Sequence, residues 1–141
     1  MRLLLDANVL LDCLILESNG LPRVGKDASA GILDLCDRGH HQGLAAWHTL
    51  PIISYYHGRQ NTVDETAALM DALLRVVEIP TIGHADALAW RSYGIADFED
   101  ALQAASAVAG HADFIVTRNV DDFVGSPVPA LTPEAFLVAY H

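Results

Sequence analysis

The chain reads as a three-layer α/β/α sandwich around a central parallel sheet, and three observations predict it. Short apolar runs of strand length, Leu3 to Leu5 first among them, alternate with longer stretches of helical periodicity. That first run is apolar at every position rather than at alternate ones, which suits a strand covered on both faces. Carboxylates and amides stand just beyond the first and fourth of these strands, at Asp6 and Asn119, where open parallel sheets place their ligands.

Taken in order, Asp6 ends the first strand, and Val9, Leu10, Leu11 and Leu14 then recur at helical spacing. The segment from Glu17 to Lys26 is a loop by its Gly, Pro and Asn content. Arg23 and Lys26 within it are candidate phosphate contacts, although lone bases in a loop are more often simply solvated. Asp27 or Ser29 caps a second helix, Ala28 to Arg38, which Gly39 closes. Gly43 to Trp47 is a second strand. Pro51 sits in the first turn of a third helix, where its missing N–H is harmless. Asn61 or Thr62 opens a fourth helix, and Thr62 with Glu65 has the spacing of a capping box. Its apolar stripe runs from Leu69 to Val77. Val76 to Pro80 forms a third strand, and Gly83 to Tyr93 a short Ala-rich helix. Another helix starts at Asp97, and its small residues through Ala109 suit close packing against a neighbour. Ala112 to Thr117 is a fourth strand, followed by a polar turn from Asn119 to Phe123. Val128 to Leu131 is the last strand, and Thr132-Pro133-Glu134 is a strong helix start.

With 141 residues, the expectation is one domain over 1–141 with a sizeable core. The 52% hydrophobic content excludes a disordered chain. No apolar run reaches the length of a bilayer span, and the first residues lack the parts of a secretion signal. Cys13 and Cys36 lie in apolar helical contexts and are expected as buried free thiols in a reducing, cytoplasmic setting. Eighteen acids against eight bases give a net charge of −10, which argues against broad capture of nucleic acid by a positive field. The same balance suits a site for divalent cations, and a basic protein partner.

The acids that could form such a site come from four places. Asp6 ends the first strand; Asp97 and Asp100, three apart at a helix start, share a face; Asn119 follows the fourth strand; and one of Asp121 and Asp122 can face the site from the turn beyond. Oxygen donors alone suit Mg²⁺ or Mn²⁺, and such ions activate water and stabilise charge developing on a phosphodiester. There is no Gly-rich phosphate loop, and the His residues have no zinc-motif spacing. Each acid also has a plainer role. Asp97 is first an N-cap, and Asp100 gains from the helix dipole whatever it binds. Glu99 is expected to face away from Asp100 into solvent, and Asp12 to lie on the exposed side of the first helix. Asn8 is expected either to cap that helix or to hold Asp6, the second being favoured.

On these stretches the chain resembles the PIN-domain nucleases, above all the bacterial VapC-type toxins. The resemblance rests on Leu5-Asp6-Ala7-Asn8-Val9-Leu10, on Asp97-Phe98-Glu99-Asp100-Ala101-Leu102-Gln103-Ala104-Ala105, and on Ala112-Asp113-Phe114-Ile115-Val116-Thr117-Arg118-Asn119 with Asp122-Phe123. It ends with Leu131-Thr132-Pro133-Glu134-Ala135-Phe136-Leu137. The resemblance implies an acidic centre for one or two Mg²⁺ or Mn²⁺ ions, hydrolysis of RNA phosphodiesters, frequent homodimers and a small antitoxin partner. Carried over by position, it implies Asp6, Asp100, Asn119 and Asp122 as catalytic residues. Asp6, Asp100 and Asp122, with Asp97 added, would be the metal ligands, and Asn8 and Thr117 their supports. Thr117 and Arg118 could also orient a phosphate. Asn119 stands where many members carry Asp.

One position departs from the family pattern. Members usually have a Glu at the start of the helix after the second strand, whereas this chain has Trp47-His48-Thr49-Leu50-Pro51-Ile52-Ile53-Ser54, with Ile52 near the expected place. His48, Thr49 or Ser54 could substitute through water. The departure motivates an alternative, a PIN-fold binding or regulatory protein without turnover. A third reading, a phosphatase of the haloacid-dehalogenase type, is suggested by Asp6-Ala7-Asn8. It is weakened by Asn8 where a second Asp belongs, and by the single Lys of the chain, Lys26.

Overall fold

Three leucines in a row set the architecture. In a computed structural model, which describes residues 1–140, β1 (Arg2–Leu5) runs through the centre of a five-stranded sheet, and Leu3, Leu4 and Leu5 are fully buried. Alternation along a strand sends Leu3 and Leu5 to one face and Leu4 to the other, and the two faces are packed by different residues.

The chain continues as α1 (Ala7–Leu14), α2 (Lys26–Asp37), β2 (Gln42–Leu44), α3 (Thr49–Gly58), α4 (Val63–Val76) and β3 (Val77–Glu78). Then come α5 (His84–Leu88) with a 3₁₀ turn at Ala89–Tyr93, α6 (Phe98–Ala109), β4 (Phe114–Val116), a second 3₁₀ turn at Val120–Phe123, β5 (Ala130–Leu131) and α7 (Pro133–Tyr140). All strand pairs are parallel, in the order β3-β2-β1-β4-β5. Leu5 pairs with Val116, so β1 and β4 end side by side. The chain winds from β1 to one edge and then returns to β4 on the other side of β1. The crevice beyond the tips of β1 and β4 is therefore the topological switch point of the sheet, the usual ligand position in such folds.

The face holding Leu3 and Leu5 is covered by α1, α2, α3, α4 and α7 through Val9, Leu10, Ile32, Ile53, Leu73 and Phe136. The face holding Leu4 packs Ala101, Ala104 and Ala107 of α6, with Ile95 and Phe123. These alanines bring α6 close to the sheet, as its composition predicts. At the end of α6, a Cβ on Gly110 would lie 2.8 Å from both Leu44 Cδ1 and Pro80 Cγ, so any larger residue there forces its neighbours to shift.

The predicted order of elements holds. However, β2 ends at Leu44 rather than Trp47, which lies in a turn, and Gly83 to Tyr93 divides into α5 and a 3₁₀ turn. Three predicted caps are realised. Thr62 and Glu65 form the capping box of α4 at 3.1 and 3.0 Å. Asp97 accepts from the Asp100 N–H at 3.0 Å, and Thr132 from the Ala135 N–H at 3.1 Å. Helix α2 differs from expectation. It begins at Lys26, and neither Asp27 nor Ser29 is its cap: Gly25 is, at φ 88°. Ser29 lies inside the helix, fully buried, and donates to Asp12 instead. Gly25 is required twice, by its left-handed backbone and because a Cβ would crowd Asp12 Oδ2 at 3.2 Å.

Both cysteines are free; Cys36 is buried and Cys13 half-buried. Burial pushes the Cys13 thiol up to about 12 and that of Cys36 to about 11, so both are protonated and unreactive at neutral pH. Among the described residues, no helix is long and apolar enough to cross a membrane.

Candidate metal centre

Asp6 is the first residue past β1 and the N-cap of α1, yet its side chain makes no cap hydrogen bond. Its carboxylate is instead held from the neighbouring strand tip. Thr117, directly after β4, donates from Oγ1 to Asp6 Oδ2 at 2.7 Å, and Asn8 Nδ2 donates to the same oxygen at 2.9 Å. Asn8 also donates to Thr117 Oγ1 at 3.2 Å and accepts from the Arg118 N–H at 3.3 Å. The Asn119 N–H closes the knot on Thr117 Oγ1 at 3.1 Å. Asn8 thus supports Asp6, which is the favoured one of its two expected roles. The knot ties together the two strand ends that flank the switch point.

The second set of acids arrives on the first turn of α6. Oxygens of Asp97, Glu99 and Asp100 all lie within 4.8 Å of one another. Here a sequence expectation fails: Glu99 does not face away into solvent. It is half-buried, Oε1 lies 3.0 Å from His48 Nε2, and the same oxygen accepts from Gln103 Nε2 at 3.0 Å. Gln103 is fully buried and is itself anchored on Thr49 Oγ1 at 3.0 Å. The turn at the start of α3 therefore contributes no acid of its own but holds one that belongs to α6. The signal for this in the sequence is the Glu99–Gln103 spacing of four, one helical turn. The partnership with His48, 51 residues away, leaves no local trace.

Electrostatics link the two sets. The Asp6 carboxyl is raised to about 6, chiefly by burial and also by the charges of Glu99 and Asp122, against the pull of the Thr117 hydrogen bond. Asp100 is raised to about 7, first by burial and then by its hydrogen bond and charge contact with Glu99, with Asp97 and Asp6 adding to it. Glu99 moves the other way, lowered chiefly by the His48 hydrogen bond. Asp6 thus feels Glu99 and Asp122, and Asp100 feels Glu99, Asp97 and Asp6, which links the tip of β1 to the first turn of α6. Asp122 and Asn119 are exposed, and of the adjacent pair it is Asp122, not Asp121, whose charge acts on Asp6. Among the described residues, none of these five acids pairs with a Lys or Arg.

The nearby arginines are committed elsewhere. Asp12, expected on an exposed face, is fully buried, with Arg23 Nε 3.0 Å from Oδ1 and Arg118 Nε 2.9 Å from Oδ2. Arg118 Nη1 also reaches the carbonyl of Val24 at 3.4 Å. A carboxylate in the interior needs such partners. Arg23 and Arg118 therefore tie the loop before α2 to α1 and to the end of β4. The acids that remain are hard oxygen donors with no Lys or Arg paired to them among the described residues and with His48 on Glu99, a set that suits a small divalent ion.

A five-stranded parallel sheet with its acids gathered at the switch point defines a class, and the sequence places the chain in it. The PIN domain family model matches residues 2–121, and the chain belongs to that family. Its fold is shared with VapBC2 from Rickettsia felis, solved bound to a DNA fragment from its promoter, at TM-score 0.68 and 17% identity over 94% of this chain and 98% of that one. FitAcB from Neisseria gonorrhoeae is similar at TM-score 0.63 and 17% identity, over 94% and 98% of the two chains. VapBC-1 from nontypeable Haemophilus influenzae is similar at 0.67 and 12%, over 95% and 99%. No curated protein matches the sequence significantly.

Proposed function

We propose that this PIN domain is a Mg²⁺- or Mn²⁺-dependent endoribonuclease and the toxin of a toxin–antitoxin pair, acting in the cytoplasm as a homodimer. The observation that carries the reading is the cluster of Asp97, Glu99 and Asp100 on the first turn of α6, within electrostatic reach of Asp6 at the tip of β1 and with no Lys or Arg paired to any of them among the described residues. Asp6, Asp97, Asp100 and Asp122 would hold the ion, with Asn119 adding a neutral oxygen and Glu99 a further charged one. When bound, the ion supplies Lewis acidity toward a phosphoryl oxygen and a water acidified toward neutral pH. The chain's own work is positioning. Thr117 and Asn8 fix the Asp6 carboxylate, while His48 and Gln103 fix that of Glu99. The fold shared with VapBC and FitAB proteins supports an antitoxin partner, and a net charge of −10 favours a basic one.

A second reading keeps the fold and partner surface without turnover. It is motivated by Ile52, apolar and half-buried on α3 where the family pattern has Glu. Two measurements separate the readings. Cleavage of RNA with Mn²⁺ is expected to fall by about a hundredfold or more in Asp6→Asn and Asp100→Asn, as loss of a ligating carboxylate should exceed the effect of losing a residue that merely supports one. Calorimetric titration of the native chain with Mn²⁺ is expected to show binding that both variants weaken. Undiminished cleavage by Asp6→Asn removes that residue from the reaction, and absence of Mn²⁺ binding near neutral pH favours the non-catalytic reading.

A further inference from the structure

Next to the acidic crevice lies a cleft of about 520 Å³ whose lining is of another kind. Trp47, at the turn between β2 and α3, stands 70% exposed at its edge. Its backbone is pinned, the Leu50 N–H donating to the Trp47 carbonyl at 3.2 Å, so the indole has a fixed base. Ile79, Pro80 and Leu102 line the apolar part of the cleft, and Thr81 and His48 are its polar members. Not one carboxylate lines it, on a chain with eighteen acids. The cleft adjoins the candidate metal centre through His48, which lines it and is 3.0 Å from Glu99.

We infer that this cleft is a nucleobase pocket: the base of a nucleotide flanking the scissile phosphate stacks on the Trp47 indole while its phosphate lies at the acids. The inference rests on the nuclease reading above and adds to it where the substrate's base is held. The occupant follows from the chemistry. An exposed, backbone-anchored indole offers the flat face on which bases of single-stranded RNA stack. The apolar walls exclude water from the rest of the ring, and Thr81 and His48 can bond to its polar edge. An uncharged lining also spares an anionic nucleotide the repulsion it meets elsewhere on this surface.

The test uses the native chain and its Trp47→Ala and Trp47→Phe variants. Titration with AMP, GMP, CMP and UMP, without metal, is expected to quench tryptophan emission saturably and unequally among the four, and Trp47→Ala is expected to abolish the effect. In RNA cleavage with Mn²⁺, Trp47→Ala is expected to raise KM by about five- to a hundredfold, the range for loss of one stacked base, with little change in kcat. Trp47→Phe is expected to recover most of that loss. Mn²⁺ affinity and the circular dichroism spectrum should be the same in all three, since the side chain is mostly exposed. Cleavage with unchanged KM in Trp47→Ala, or quenching that does not saturate, overturns the pocket and leaves the nuclease standing. Saturable, Trp47-dependent quenching in a chain that neither binds Mn²⁺ nor cuts RNA supports the pocket and removes the nuclease. If Trp47→Ala instead dissociates a dimer in sedimentation and no nucleotide quenches the native chain, the cleft belongs to a second copy and the inference fails.

Discussion

Asp6 is a carboxylate with 5% of its surface exposed, held by two hydrogen bonds and opposed by the charges of Glu99 and Asp122. The balance has a consequence for stability. Its folded value, about 6, lies above the ordinary carboxylate range, so the folded chain binds this proton more tightly than the unfolded one. The stability from Asp6 is complete at low pH and is lost as pH rises through about 6; Asp100 acts in the same sense through about 7. Glu99, lowered by His48, acts oppositely, but only in the acid range below its unfolded value. Without divalent metal, the chain is therefore expected to melt at a lower temperature at about pH 8 than at about pH 5. Asp6→Asn should raise the melting temperature at the higher pH and flatten the dependence. Differential scanning calorimetry in EDTA reads both, and a melting temperature that climbs steadily over that interval would contradict the geometry of like charges. Placing binding energy and strain at one site in this way is common where function opposes stability. From the sequence, Asp6 and Asp100 were legible because each stands at a strand tip or helix start. Glu99 was not, because its direction depends on His48 from a distant turn, and neither was the burial of Asp12, whose two arginines come from separate loops.

At the scale of elements, α6 does two jobs. Its first turn carries Asp97, Glu99 and Asp100, while its small residues let it lie close on the sheet. The tightest approach is at its C-terminal end. Gly110→Ala would push a methyl to 2.8 Å from Leu44 Cδ1 and Pro80 Cγ, and overpacking of this kind costs about 1–3 kcal/mol. Urea denaturation is expected to show that loss with an unchanged m-value; a neutral substitution would mean that α6 is free to move away from β2. Helix type, order and most caps could be read from periodicity and from Thr62, Asp97 and Thr132. The start of α2 could not, since Gly25 was chosen by the buried Asp12 beside it and not by local capping chemistry.

For the whole molecule, the net charge of −10 and the acid cluster both work against compactness. General screening and specific binding relieve them differently. About 0.1 M KCl, which shortens the screening length to about 10 Å, should raise the melting temperature modestly through the surface charges. Millimolar Mn²⁺ should raise it further by occupying the site, since a ligand at about a hundred times its Kd adds about 2.7 kcal/mol. The excess from Mn²⁺ is expected to vanish in Asp100→Asn, while the KCl effect remains. Equal shifts from equal ionic strength would show that no specific site is filled.

The sequence by itself determined the layers, the parallel sheet, the order of elements and the family, because apolar periodicity and caps are written in neighbouring residues. It also placed Asp6, Asp100, Asn119 and Asp122 at strand tips and helix starts, since those positions follow from element boundaries. The tertiary structure alone decided which carboxylates face the crevice and which are neutralised inside. Asp12 was drawn into the core by Arg23 and Arg118, and Glu99 was turned toward the acids by His48 and Gln103. The direction of a charged side chain is set by partners brought close in space, and distance along the chain does not record them.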